Sequence, residues 1–120
     1  MVNYPLQIEN VLKTHKLPKK SRELLAEFNI WKKSQEHALE GRARYLQTLK
    51  MVALVTGWNL APETLTEKHL LTWAKSLLTK ADGRTPTKPN TRNYRKTVLQ
   101  AYLKWVYNAE PSGMPLFVLH

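Results

Sequence analysis

Apolar residues recur at helical spacing through most of this chain. Leu24, Leu25, Phe28 and Trp31 keep the i, i+1, i+4, i+7 rhythm of one helix face, and Ser21 stands where an N-cap opens that helix, which runs to about His37. A second helix begins near Gly41, carries Tyr45, Leu46, Leu49, Val52, Ala53 and Thr56 on one face, and stops at Gly57. Residues 58–65 contain Pro62 and read as a loop. Thr66 caps a third helix striped by Leu70, Trp73, Ala74, Leu77 and Leu78. Residues 81–90, with Asp82-Gly83, Pro86 and Pro89, suit neither a regular helix nor a central strand. Thr91 opens a fourth helix, with Tyr94, Val98, Ala101, Tyr102 and Trp105 on its apolar face, that ends before Pro111. Ahead of these, Leu6, Ile8, Val11 and Leu12 allow a short extra helix. No hairpin or strand pair is signalled and no internal repeat is evident, so the expected class is all-α, an up-down four-helix bundle with an optional short N-terminal helix.

Composition narrows the setting. A length of 120 residues suits one domain with a single core, and 42% hydrophobic residues with four Trp and five Tyr argue against disorder. The chain has no cysteine, which excludes disulfides, thiolate metal sites and cysteine catalysis. No apolar run approaches the ~18 residues of a membrane span, and the first 13 residues lack a signal-peptide core. The expected protein is soluble and intracellular, without a membrane partner. Its expected organisation is an N-terminal segment and basic linker (1–20), a helical domain (21–108) and a linker onward (109–120). The Lys13–Lys20 tail of the first segment reads as a solvated linker in preference to a phosphate-tracking arm.

Charge changes the picture more. The formal net charge is +10, and two long stretches carry base and no acid. Residues 41–62 hold Arg42, Arg44 and Lys50, and residues 83–109 hold Arg84, Lys88, Arg92, Arg95, Lys96 and Lys104. Acids cluster elsewhere, chiefly Glu23, Glu27, Glu36 and Glu40. A merely soluble surface mixes signs; segregation favours a polyanionic partner, most often nucleic acid.

In an up-down bundle the second and fourth helices point the same way, which would put the N-termini of both acid-free stretches at one end. Arg44, Gln47 and Lys50 lie opposite the second helix's apolar stripe, while Met51, Leu54 and Val55 make its last turns apolar all round, as in a buried segment. Arg92, Asn93 and Lys96 lead the fourth helix before Leu99, Leu103 and Val106. Free backbone N–H groups and the helix dipole add to anion affinity at such ends. Lysine and arginine suit phosphates, while Gln47, Thr87, Thr91 and Asn93 suit phosphates or base edges, which points to duplex DNA. The aromatics fall on core stripes and do not interleave with the bases, which weakens a base-stacking reading.

These same residues carry a family resemblance. From about Ser21 to Val118 the chain resembles the N-terminal core-binding domain, SAM-like in fold, of tyrosine recombinases of the phage-integrase type, above all archaeal and viral members. The supporting motifs are Arg42-x-x-Tyr45-Leu46-x-x-Leu49, Leu65-Thr66-x-x-x-Leu70, the opening Thr91-Arg92-Asn93-Tyr94, Tyr102-x-x-Trp105 and Met114-Pro115-Leu116-Phe117-Val118. Where the family often has Ser-x-x-Thr before its second helix, this chain has Ala38-Leu39-Glu40-Gly41, so no hydroxyl stands at that helix start. The resemblance implies half of a DNA clamp whose second and fourth helices cross the major groove, here Arg42–Lys50 and Thr91–Lys96. It also implies a separate C-terminal catalytic domain, which these residues do not include. The isolated chain is then a monomer that oligomerises on DNA through the full-length recombinase, in the cytoplasm and nucleoid, or in host cytoplasm if viral.

The DNA-binding set is therefore Arg42, Arg44, Gln47, Lys50, Arg84, Thr87, Lys88, Thr91, Arg92, Asn93, Arg95 and Lys96. No catalytic residue, metal ligand or cofactor is expected: His15, His37, His69 and His120 lie outside the family's His-x-x-Arg motif, and Tyr94 and Tyr102 fall on packing stripes. His37 and His69 have nothing beside them to complete a metal's ligand set. Two further classes fit the composition, a free-standing helical DNA-binding or transcription-regulatory protein and a helical adaptor for an acidic protein.

Overall fold

Leu46, Leu49, Val52 and Ala53 share one face of an 18-residue helix and are all buried, and against this helix the other four pack. The computed structural model describes residues 2–108. The order is α1 (Tyr4–Lys13), α2 (Lys19–Ser34), α3 (Leu39–Thr56), a single 3-10 turn (Pro62–Thr64), α4 (Glu67–Ser76) and α5 (Pro89–Asn108). The fold is an all-α bundle with α3 at its centre; an isolated bridge between Thr79 and Pro86 is the one extended pairing among the described residues. None of the described helices is long and apolar enough to cross a membrane.

Helix limits follow local chemistry. α3 stops at Gly57, whose φ of 77° is open to glycine and strained for other residues, and whose N–H closes onto the Ala53 carbonyl at 2.9 Å. Thr66 caps α4 reciprocally: its hydroxyl accepts the His69 N–H while its own N–H donates to His69 Nδ1. Histidine there does the work that Glu or Gln does in the usual capping box.

Two devices join the helices. Phe28, fully buried on α2, packs against Tyr45 of α3 and against Tyr102 and Trp105 of α5, with ring centroids 5.3–6.3 Å apart. The segment after α3 is tied down from two sides. Ser21 Oγ donates to the Asn59 carbonyl at 2.6 Å, Tyr102 OH to Leu60 at 2.8 Å and Tyr107 OH to Pro62 at 2.7 Å. Leu60, at a φ of 70°, is fully buried in this knot. A leucine holds that conformation when its surroundings over-determine it.

Several expectations need correcting. Ser21 is not an N-cap: α2 starts at Lys19, with Pro18 at the cap position, and the serine hydroxyl is used in the tertiary bond just described. α4 ends at Ser76, so Leu77 is buried beyond the helix, while Leu78 and Ala74 are exposed. α5 begins at Pro89, whose fixed φ suits a first helical position, rather than at Thr91. The N-terminal segment is more than a linker, since Ile8, Val11 and Leu17 belong to the core and α1 packs on α2 and α3. Met51, Leu54 and Val55 are 37%, 48% and 43% exposed, not buried, because no described element covers that side of α3. The linker expected at 109–120 lies outside the described residues.

Candidate nucleic-acid interface

α3 presents Arg44 and Gln47 one turn apart on its exposed side, with Lys50 half-buried a turn later. Arg44 reaches back to Glu40 at 3.5 Å, an exposed i,i+4 pair that water and salt screen and that leaves the guanidinium available. Arg42 is used differently. Its Nε donates to the His37 carbonyl and its guanidinium to Asn29 Oδ1, both at 3.1 Å, so it braces the α2–α3 corner instead of facing outward.

The same corner explains Gly41. A Cβ there would come within 2.7 Å of His37 Nε2, so only glycine lets the imidazole lie across the start of α3. The ring stands edge-on to Tyr45, with centroids 5.0 Å apart. Burial, reinforced by Lys32 and Arg42, holds its pKa below the usual histidine range.

The connection from α4 to α5 is ordered by Asp82. Its carboxylate accepts the Arg84 and Thr85 N–H groups at 2.8 Å and the Thr85 hydroxyl, and Gly83 takes the left-handed turn position at φ 72°. The Thr85 hydroxyl bond, followed by the two backbone bonds, lowers the Asp82 pKa. Further bonds from Lys80 N–H to Thr85 and from Thr87 N–H to Leu78 close the loop into a narrow tongue. Arg84 is exposed on this tongue.

α5 then returns across α3. Tyr94 meets Tyr45 edge-to-face at 6.0 Å, which locks the second turn of α5 onto the second turn of α3. The first turn of α5 borders the later turns of α3: Lys88, Thr91 and Arg95, with Thr79, Lys80 and Thr87 of the tongue, face Met51 and Val55 across a groove of about 790 Å³. A smaller recess of about 270 Å³ continues it between Arg44, Gln47 and Met51 on one side and Tyr94 and Arg95 on the other. Among the described residues, no acidic side chain lines either recess. Because Met51 and Arg95 border both, the result is one grooved basic surface with an apolar floor.

Arg44, Gln47, Thr87, Lys88, Thr91 and Arg95 therefore converge. Arg84 flanks them on the tongue. Lys50 lies across the Met51–Val55 ridge, in a separate recess with Gln7 and Asn10 of α1. At ~100° per residue, Arg92 and Lys96 lie next round α5 from Arg95, while Asn93 is ~160° away. The Tyr94–Tyr45 contact brings the second turns of α5 and α3 together, and the start of α5 also borders Met51 and Val55 across the groove. Lys80 and the apolar floor of Met51 and Val55 went unrecognised in the sequence. An apolar run at the end of a basic helix is the signal that could have found the floor.

The remaining candidates have packing roles. Trp73 is buried, and Tyr45, Tyr94 and Trp105 are half-buried against the core. Tyr102 is fully buried, its hydroxyl donating to Leu60, and burial pushes its phenol well above the ordinary range. His69 is engaged in the α4 cap. Comparison with protein-family models, with curated proteins and with solved structures finds no match to this chain.

Proposed function

We propose that this chain is a non-catalytic DNA-binding domain of a site-specific tyrosine recombinase, gripping recombination-site duplex as one half of a clamp. One observation carries the DNA-binding part: Arg44, Gln47, Lys88, Thr91 and Arg95, drawn from two helices and the tongue between them, border one continuous groove that no acid among the described residues lines. The recombinase part rests on the motif resemblance from Ser21 to Val118.

Each group has a physical task. Arg44, Lys88 and Arg95, with Arg84 and Lys80 at the margin, neutralise phosphates and release counterions, which supplies affinity without sequence preference. Gln47, exposed on α3, offers the donor and acceptor pair that reads a base edge in the major groove. Met51 and Val55 offer apolar surface suited to a thymine methyl. Half a clamp discriminates sites weakly, and the domain acts wherever its DNA is held.

Titration of labelled duplex against the 120-residue chain at several salt concentrations tests the reading. Neutralising about five phosphates gives a slope of log K against log salt near −4 to −5. No binding at low salt, or a flat slope, overturns it and favours an adaptor for an acidic protein. The free-standing regulatory alternative shares the salt dependence, and is separated by whether the parent reading frame continues into a catalytic domain.

A further inference from the structure

The other side of α5 borders a separate recess. Arg95 and Lys104 stand nine positions apart, which at ~100° per residue sets them on opposite sides of the helix. Ala101, Lys104, Trp105 and Asn108 fall at i, i+3, i+4 and i+7, and they face Trp31, Lys32 and Gln35 of α2 across a cavity of about 400 Å³. Ala101 is the small residue on this face, and its missing bulk leaves the space between the two helices open.

The walls are aromatic. Trp31 and Trp105 are half-buried, each packed on Phe28 with centroids 5.8 and 5.3 Å away, and the two indoles are 6.3 Å apart. The rim is cationic. Among the described residues neither Lys32 nor Lys104 pairs with a carboxylate, and no acid lines the cavity. Lys32 Nζ lies 5.1 Å from the Trp31 ring centre and 4.9 Å from that of Tyr45. Those π-faces attract the ammonium but supply no countercharge, and burial lowers its pKa. Gln35 and Asn108, both exposed, each offer a donor and an acceptor at the mouth.

We propose that this recess binds single-stranded nucleic acid. One unpaired base lies against the Trp31 and Trp105 indoles, Gln35 and Asn108 meet its edge, and Lys32 and Lys104 hold the phosphates on either side of it. Aromatic platform, flanking cations and amide groups are the three parts such recognition uses, and all three come together here. An acidic peptide uses the lysines but leaves the indole faces without a planar partner. A duplex keeps its bases stacked inside the helix, out of reach of the cavity. The recess shares no residue with the groove of Arg44 and Arg95, so the proposal goes beyond the duplex reading and does not depend on it.

The test titrates an oligothymidylate of about eight nucleotides, which forms no duplex, against the 120-residue chain while tryptophan emission is followed. Trp58 and Trp73 are 2% and 4% exposed, so quenching reports on Trp31 and Trp105. Quenching should saturate. Ala101→Leu fills the recess without removing any group assigned to the ligand, and should weaken binding about tenfold or more, the worth of one stacked base. Duplex binding should be unchanged in that variant. Lys104→Gln, at an exposed position, should weaken the strand several-fold and lower its salt slope by about 0.7. Should Ala101→Leu unfold, Lys104→Gln and Gln35→Ala decide alone. Quenching without a plateau, or strand binding lost in Arg95→Ala and kept in Ala101→Leu, overturns the site. Equal affinity for an oligoglutamate peptide overturns the nucleic-acid assignment, and equal affinity for thymidine monophosphate overturns the strand as its source. Saturable strand binding without duplex binding upholds the recess and removes the duplex reading; the reverse removes the recess alone.

Discussion

Replacing Tyr102 with Phe tests the knot that fastens α5 to the segment after α3. The substitution keeps a ring that touches Phe28, Trp58 and Trp105 and removes one hydroxyl, which donates to the Leu60 carbonyl at 2.8 Å. Both residues are 0% exposed, so water cannot replace the lost donor without opening the core. The stranded carbonyl costs ~1–3 kcal/mol, and the volume vacated by one oxygen adds little. Leu60 also sits at φ 70°, a strained conformation that this bond helps to hold; its relaxation returns part of the cost. A net loss of about 2 kcal/mol is expected, a large share of the ~5–15 kcal/mol available to a domain of this size. Urea unfolding followed by far-ultraviolet circular dichroism and by tryptophan emission measures it, and the same cost should lower Tm by about 4 °C or more per kcal/mol.

Tyr107→Phe is the control: Tyr107 is itself buried, and its hydroxyl also donates to a carbonyl, Pro62 at 2.7 Å, but Pro62 is half-buried where Leu60 is fully buried, so the stranded carbonyl lies nearer to water. It should cost less. A loss below ~0.5 kcal/mol for Tyr102→Phe, or an equal loss for both, would refute the argument from burial. The pH dependence adds a check. Burial raises the Tyr102 phenol above its ordinary value of 10.0, so above that pH the unfolded chain releases a proton the folded one keeps. The stability present below pH 10.0 therefore falls as pH rises beyond it, and the fall should be shallower in Tyr102→Phe.

Phe28→Ala empties the centre of the aromatic cluster and should cost about 3–5 kcal/mol in the same urea assay, enough to leave the chain largely unfolded on warming. His37 has a lowered pKa, so the unfolded chain takes up its proton first on acidification; stability held above the ordinary value of 6.5 should fall as pH drops below it, and calorimetry should find that fall reduced in His37→Asn. Lys88→Ala should weaken binding to every duplex alike and lower the salt slope by about one unit, whereas Gln47→Ala should cost about 1–3 kcal/mol on a cognate site and little on random DNA. Like behaviour of the two would remove the case for base reading by α3.

The pattern of residues determined more of the helices than of their arrangement. A stripe such as Leu46, Leu49, Val52 and Ala53 needs a common face, and only a helix provides one at that spacing; Gly57 and Thr66 then mark limits by local backbone chemistry. The acid-free stretches were equally legible, because charge is a property of composition. Their geometry was not. Met51, Leu54 and Val55 look buried in sequence, yet whether a helix face is covered depends on where other elements land, and here α5 crosses so that this side stays open. Arg42 and Arg44, two residues apart and chemically identical, part ways because the α2–α3 corner happens to offer one of them Asn29 and a free carbonyl. Thr87, an ordinary loop residue in sequence, becomes a buried unpaired hydroxyl only when the tongue closes against α5. Local interactions are written in neighbouring residues, but burial and partnership are set by contacts between positions tens of residues apart, and those exist only once the chain has folded.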